Sequence, residues 1–181
     1  MKLKLFNPAT REQFRELSYH YLEEAESKII AAQIVQKQWK QTDLSHRISI
    51  VEEAMNCFWE NLASIANDIS MQMGKPISQS KNEVKGTIHR AEICCSLAED
   101  ALKDISIPEK EGFQRFIRRE SLGVVLDIAA WNYPLLIAVN VVVPAILAGN
   151  SIIIKHSSLT PLCAIAFEDA FKRAGAPDGL V

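Results

Sequence analysis

Apolar residues recur at spacings of three and four through most of the first hundred positions, which is typical of helices with one buried face. The pattern predicts three helical stretches, at residues 22–40, 43–73 and 78–104. Thr42 or Asp43 is the predicted cap of the second stretch, and Asn61 predicts a break that divides it into two helices. Gly74 and Pro76 end it, because glycine suits the position after the last turn and proline beyond it does not continue a helix.

A different pattern covers residues 123–158, where unbroken apolar runs are separated by turn residues. The elements predicted there are a strand at 123–130, a helix at 135–147 and a strand at 151–154. Pro134 suits the first helical turn, whereas Pro144 predicts a kink or a local end. Strands without polar alternation are typical of a parallel sheet that helices cover on both faces. The predicted fold class is therefore α/β, with a helical amino-terminal layer and the first half of a doubly wound, Rossmann-like nucleotide-binding domain.

The residues that come directly after these two strands are candidates for ligand binding. Trp131 and Asn132 follow the first strand, and residues 155–158 follow the second. In doubly wound sheets the ligands lie beyond the carboxyl ends of the strands. We therefore expect one site that both segments share.

The remaining segments carry weaker patterns. Residues 3–6 predict a short strand or extended lead-in, 107–112 a loop, and 113–119 a strand. The last segment contains Arg115, Arg118 and Arg119, which suit either an anion site or an exposed edge strand that like charges protect from pairing. We favour the edge strand.

The composition is that of a soluble globular chain. Its 181 residues are 48% hydrophobic and 23% charged, and the net charge of −2 gives no support for nucleic-acid binding. The longest apolar run, at 133–149, contains two prolines and an asparagine and falls short of a membrane span. The first residues do not resemble a signal peptide, so we expect a cytoplasmic location.

The four cysteines, Cys57, Cys94, Cys95 and Cys163, lack the paired spacing of a zinc site or a disulfide framework. We interpret them as buried reduced thiols and expect no metal site.

Several segments together resemble the NAD(P)-dependent aldehyde dehydrogenases. The motifs AAWNYP, PAILAGNSIIIKHSS, TPLCA and AGAPDGLV occur in the order and at the spacing of that family's conserved core. NPAT at 7–10 and MGKP at 73–76 resemble its early landmarks, so the resemblance spans the chain. It implies that residues 1–106 are the helical part of the cofactor-binding domain. Residues 107–122 would be a linker with an edge or oligomerisation-arm strand, and 123–181 the start of the NAD(P)-binding unit.

The resemblance also implies roles for particular residues. Asn132 matches the family's oxyanion-binding asparagine, although by position alone it suits a helix cap equally well. Lys155 matches a cofactor-binding lysine, where an ordinary solvated lysine is the alternative. Trp131 is expected to flank the cofactor, to pack the strand-helix junction, or both.

Two positions depart from the family pattern. His156 stands where the family has proline, and Ser158 where it often has glutamate. A glutamate there would repel a 2′-phosphate, so Ser158 permits NADP as well as NAD. With Ser157, these residues complete the predicted cofactor-binding set. His156 is a candidate source of partial positive charge beside a 2′-phosphate, where an ordinary surface histidine is the alternative.

We expect an amino-terminal fragment of an aldehyde-oxidising enzyme, one candidate substrate being a semialdehyde. The family's nucleophilic cysteine, general-base glutamate and pyrophosphate-binding turn would all lie beyond residue 181, so the fragment alone is expected to be inactive. A homo-oligomer is expected, without nucleic-acid or membrane partners. The alternative is a non-catalytic subunit or interaction module with the same fold.

Overall fold

A computed structural model describes residues 2–181. Its helices are α1 (Leu22–Trp39), α2 (Leu44–Glu60), α3 (Leu62–Met73), α4 (Ile77–Leu102), α5 (Pro134–Leu147) and α6 (Leu162–Arg173). Its strands are β1 (Lys2–Phe6), β2 (Gln13–Ser18), β3 (Ile105–Ser106), β4 (Phe116–Ile117), β5 (Val124–Asp127) and β6 (Ser151–Ile154). The predicted helical stretches are confirmed to within two residues at their ends.

The boundaries between the amino-terminal helices follow from single residues. Asn61 separates α2 from α3, and its side-chain amide donates to the Cys57 carbonyl at 2.8 Å, which satisfies a carbonyl in the last turn of α2. Gly74 ends α3 in the left-handed conformation with φ of 74°. Pro76 is the cap residue of α4, so only Lys75 lies between the two helix ends. The predicted break and stop are both confirmed.

The strand-helix-strand unit is present with a shorter first strand than predicted. Strands β5 and β6 pair in parallel, with Val124 opposite Ser151 and Asp127 opposite Ile154. Helix α5 continues through Pro144 to Leu147, so the predicted local end at that proline is wrong. The fold is the α/β class that the sequence predicts.

All helices contribute to one hydrophobic core. Helix α5 lies at its centre, with Leu135, Val139, Val142 and Ile146 fully buried. Trp39 of α1, Phe58 of α2 and Phe167 of α6 pack in the same cluster, and the two phenylalanine rings lie 5.0 Å apart. The helical layer and the parallel strands therefore share a core across the predicted boundaries at 106 and 123.

Helix α5 is held at its carboxyl end by side chains from the helical layer. Trp39 Nε1 donates to the Ile146 carbonyl at 3.0 Å, and Arg47 Nη1 donates to the Leu147 carbonyl at 2.8 Å. Gln36 Nε2 donates to the Gly149 carbonyl at 3.0 Å. These bonds satisfy carbonyls that have no partner within the helix.

The sequence patterns missed β2 and α6. Strand β2 pairs with β1 in an antiparallel hairpin, and α6 packs on α2. The predicted strand at 113–119 is only two residues long and pairs with β3. Its arginines bond locally: Arg118 pairs with Asp104 at 3.1 Å, and Arg119 donates to the Lys103 carbonyl at 2.9 Å. Across 2–181, none of the helices is both long and apolar enough to cross a membrane.

Candidate active site

The two loops that follow β5 and β6 meet at the carboxyl edge of the parallel sheet. The Lys155 N–H donates to the Asp127 carbonyl at 2.8 Å, which continues the strand pairing by one residue. The Ser157 N–H then donates to the Ala129 carbonyl at 3.0 Å and joins the two loops directly. The structure therefore brings Trp131 and Asn132 to the same edge as residues 155–158.

Asn132 lies exposed on the turn between β5 and α5. Its carboxamide has no hydrogen-bond partner within 2–181, whereas its main-chain carbonyl accepts a hydrogen bond from Lys75 Nζ at 3.2 Å. The residue that precedes α5 is Tyr133, and no side chain of the turn caps the helix. The alternative role of Asn132 as a helix cap is therefore not found.

Glu83 of α4 caps α5 instead. Its Oε1 atom accepts from the Leu135 N–H at 3.0 Å and lies 3.5 Å from the Leu136 N–H. Its Oε2 atom pairs with the Lys75 ammonium, and both side chains are more than nine-tenths buried. A carboxylate at a helix amino terminus satisfies free N–H groups and is favoured by the helix dipole.

Lys75 is tied to the turn by two further contacts. Its ammonium donates to the Asn132 carbonyl, and it lies 4.1 Å from the centroid of the Tyr133 ring. The sequence patterns missed this pair, because a glutamate on a long helix is typical of a solvated face. The sequence does contain one signal for this contact, the Gly74-Lys75-Pro76 junction. It places Lys75 between the end of one helix and the start of the next, outside the solvated face of either.

His156 is buried beneath the second loop. One ring nitrogen, Nε2, donates to the Pro134 carbonyl at 3.0 Å, and Nδ1 accepts from the Thr160 hydroxyl at 3.2 Å. Burial lowers the pKa of the ring, so it is neutral near pH 7. The partial positive charge considered for this residue is therefore absent, and the histidine packs the loop against α5.

The other residues of the second loop face solvent or shape the turn. Ser157 Oγ accepts from the Leu159 N–H at 3.2 Å. Lys155 and Ser158 are exposed, and their side chains have no partner in the described part of the chain. An ammonium and a hydroxyl, with no carboxylate between residues 155 and 160, fit the ribose hydroxyls or 2′-phosphate of NAD(P). Trp131, on the first loop, is half exposed.

None of the cysteines has the environment of a nucleophile. Cys57, Cys95 and Cys163 are buried and Cys94 is partly buried. Burial raises the pKa of Cys95 to about 11 and that of Cys163 further, which leaves almost no thiolate at neutral pH. Residues 2–181 contain no cluster of three or more histidine, cysteine or acidic residues that would hold a metal ion.

Comparison with known proteins identifies the family of this chain. The sequence model of the aldehyde dehydrogenase family matches residues 1–181. The chain belongs to the aldehyde dehydrogenase family. It is 30% identical over 179 residues to the 3,6-anhydro-alpha-L-galactose dehydrogenase of Streptomyces coelicolor, covering 99% of this chain and 36% of that protein. It is 31% identical over 175 residues to the NADP⁺-dependent succinate-semialdehyde dehydrogenase of Deinococcus radiodurans, covering 96% of this chain and 36% of that protein.

A solved aldehyde dehydrogenase shares the fold. The structure of a 3,6-anhydro-L-galactose dehydrogenase in complex with NADP superposes with a TM-score of 0.91 at 26% identity and covers 99% of this chain and 38% of its own. The match confirms the α/β fold class as that of the amino-terminal part of an aldehyde dehydrogenase. The chain spans about a third of the length of the curated relatives it matches.

Proposed function

We propose that residues 1–181 supply the oxyanion donor and part of the cofactor site of an NAD(P)-dependent aldehyde dehydrogenase. Oxidation of aldehydes with NAD(P) is the activity of the family. The observation that carries the proposal is the exposed Asn132 carboxamide, which has no partner within 2–181 and lies on a turn fixed from both sides.

Asn132 would act on the charge that forms at the aldehyde oxygen. A thiolate that attacks the carbonyl carbon places a negative charge on that oxygen, and the Asn132 Nδ2 hydrogens can donate to it. A neutral donor needs no proton transfer, and its orientation is set before the reaction begins. None of the cysteines within 2–181 suits the role of nucleophile.

Lys155 and Ser158 are the residues of this chain that would hold the cofactor. Bound NAD(P) supplies the acceptor for the hydride of the aldehyde. The Lys155 ammonium and the Ser158 hydroxyl would donate to the adenosine ribose or its 2′-phosphate, and Trp131 would border the same site. Two relatives named above act with, or were solved with, NADP, which supports including it with NAD for this chain.

The division into residues 1–106, 107–122 and 123–181 and the homo-oligomeric state are part of the same proposal. Three apolar residues in and next to β5 support association, because they are largely exposed. Leu122 is 91% exposed, Leu126 59% and Ile128 69%. For the substrate, we propose the chemical class of aldehydes and no particular aldehyde. Semialdehydes belong in the test because a relative is named for one.

The test uses the native product that carries this sequence, isolated through an amino-terminal tag. We expect aldehyde-dependent formation of NADH or NADPH across a panel that includes semialdehydes. Asn132→Ala should lower kcat roughly 100-fold. The control Asn140→Ala removes an exposed amide that bonds only to the Leu136 carbonyl and should keep kcat.

Absence of turnover with every aldehyde and both cofactors would contradict the proposal and favour a non-catalytic subunit. The isolated 181-residue chain should be inactive. Turnover of that chain that survives alkylation of all four cysteines would contradict the mechanism.

A further inference from the structure

The turn that carries Asn132 has little packing of its own. Trp131 and Tyr133 are 50% and 53% exposed, and Asn132 between them is exposed as well. Three sets of contacts hold the backbone. The Ser157 N–H holds the Ala129 carbonyl before the turn, Lys75 holds the Asn132 carbonyl within it, and Glu83 holds the first N–H groups of α5 after it.

Two of these three contacts come from the Lys75–Glu83 pair. We propose that Lys75 and Glu83 are positioning residues that orient the Asn132 carboxamide toward the developing oxyanion. This inference rests on the function proposed above. The pair acts through the peptide unit of Asn132 and the start of α5.

Lys75 is well placed for such a role because its own backbone is fixed. Gly74 before it adopts φ of 74°, and a Cβ atom at that position would lie 3.1 Å from Pro8 Cγ. Pro76 after it is the cap of α4. The backbone of Lys75 is therefore held between two packed helices, and its side chain extends from this fixed position to the turn.

The contacts of the pair also indicate its purpose. Two charges are costly to remove from water, and a buried pair seldom stabilises a fold more than well-packed apolar side chains do. Apart from the bond between them, every hydrogen bond and ring contact of the two charged groups within residues 2–181 goes to the turn or to the first residues of α5. The Asn132 carbonyl accepts from the buried ammonium, so the contact that satisfies this charge also holds the turn.

The decisive variant replaces both charges in the native product. Lys75→Met/Glu83→Met should have a higher melting temperature than Glu83→Met, because the Lys75 charge is no longer buried without its partner, although the Leu135 N–H lacks its acceptor in both variants. Its kcat should nevertheless stay roughly 10- to 100-fold below wild type, because a displacement of about 1 Å of a catalytic group has a cost of this size. The aldehyde KM should change less than about threefold. A double variant with wild-type kcat would overturn the proposal.

Two further variants separate positioning from general destabilisation. Ser80→Ala removes a fully buried hydroxyl on α4 that bonds to Ser70 at 2.9 Å and does not touch the turn. It should lower the melting temperature and keep kcat. Glu83→Gln retains an acceptor for the Leu135 N–H and should lose less kcat than Glu83→Met. Equal losses in kcat for Ser80→Ala and Glu83→Met would overturn the proposal.

A measurement without turnover keeps this claim distinct from the proposed function. Amide hydrogen exchange of a peptide covering residues 128–138 is followed in the 181-residue chain. Exchange should be faster in Lys75→Met and Glu83→Met than in wild type and in Ser80→Ala. Unchanged exchange would overturn the positioning role even in an active enzyme. Faster exchange in a product without dehydrogenase activity would support the contact of Lys75 and Glu83 with the turn and contradict only the function proposed above.

Discussion

Gln72 Oε1 of α3 accepts a hydrogen bond from the backbone N–H of Leu162, the first residue of α6, at 2.9 Å. Pro161 precedes that residue and offers no side-chain acceptor. Gln72 is buried, and its Nε2 group donates to the Asp68 carbonyl at 3.0 Å, which fixes the orientation of the amide. Helix α6 is thus capped from α3, much as α5 is capped from α4 by Glu83.

Replacement of Gln72 should destabilise the chain. Gln72→Met keeps the length of the side chain and leaves the buried Leu162 N–H without its acceptor, for which we expect a loss of about 1 to 3 kcal/mol. Urea unfolding of the 181-residue chain measures this. Gln79→Met, at an exposed glutamine on α4, is the control and should change stability by less than about 0.5 kcal/mol. Equal effects in the two variants would contradict the capping role.

Gly149 and Gly175 form a matched pair for testing a close approach. Both have φ of 83°, but a Cβ atom at Gly149 would lie 2.9 Å from Arg47 Nη1 and 3.3 Å from Lys40 Cα, whereas one at Gly175 meets nothing within 4 Å. Gly175→Ala should cost about 1 to 2 kcal/mol, from the left-handed backbone alone. Gly149→Ala should cost more, because Arg47 must also move from the Leu147 carbonyl. Similar melting temperatures for the two variants would show that the loop at Gly149 accommodates a Cβ atom without cost and contradict the close approach.

Asp127 should make the stability depend on pH. Its Oδ2 atom is buried without a hydrogen-bond partner in residues 2–181, and burial raises the pKa of the carboxyl. The folded state therefore retains the proton to higher pH than the unfolded chain, whose aspartates titrate near about 3.9. The free energy of unfolding should fall as the pH rises through the interval between these two pKa values.

Asp127→Leu removes this dependence and should be about 1 to 3 kcal/mol more stable than wild type at neutral pH, with a smaller difference at pH 4. Urea unfolding across this range checks the sign. The control is Asp169→Leu, at an exposed position of α6. A difference that grows toward acidic pH would contradict the assignment to Asp127.

Ser158 should influence the choice of cofactor in the native product. A carboxylate at this exposed position would repel a 2′-phosphate, so Ser158→Glu should weaken NADP relative to NAD by roughly three- to tenfold, since solvent screens the charge. Ser158→Gln has the same length without the charge and should keep the wild-type ratio. Dissociation constants for both cofactors provide the measurement. An unchanged ratio in Ser158→Glu would show that residues 155–158 do not surround the 2′ position.

Much of the fold was predictable because local patterns determine it. The helical periodicity, the stop at Gly74 and the strand at 151–154 depend on residues that are close in sequence, and each is found where the sequence places it. Helix α6 was missed although its buried residues Cys163, Phe167 and Ala170 lie at spacings of four and three, which are typical of a helix. In strand β2 only Phe14 and Leu17 are partly buried, and their separation of three positions does not give the alternation typical of a strand.

The candidate site was predictable only in part, because its supports come from distant segments. The strand ends and the family motif indicate Asn132 and Lys155 directly. Glu83 reaches Leu135 across 52 positions, and no periodicity connects the two. His156 illustrates the converse: its place in a loop suggested a surface residue, and packing against Pro134 buried it instead.

The capping of α5 and α6 by earlier helices has a consequence for the order in which the chain assembles on the ribosome. Gln72 and Glu83 leave the exit tunnel before α6 and α5, the helices that they cap. The separations of 90 and 52 residues make both hydrogen bonds non-local. Residues 123–181 therefore emerge toward a helical layer that already contains the side-chain acceptors for the first N–H groups of α5 and α6. If residues 123–181 were synthesised without that layer, they would lack the Glu83 carboxylate and the Gln72 amide that cap α5 and α6. The Asn132 turn would also lack the Lys75 ammonium that binds its carbonyl.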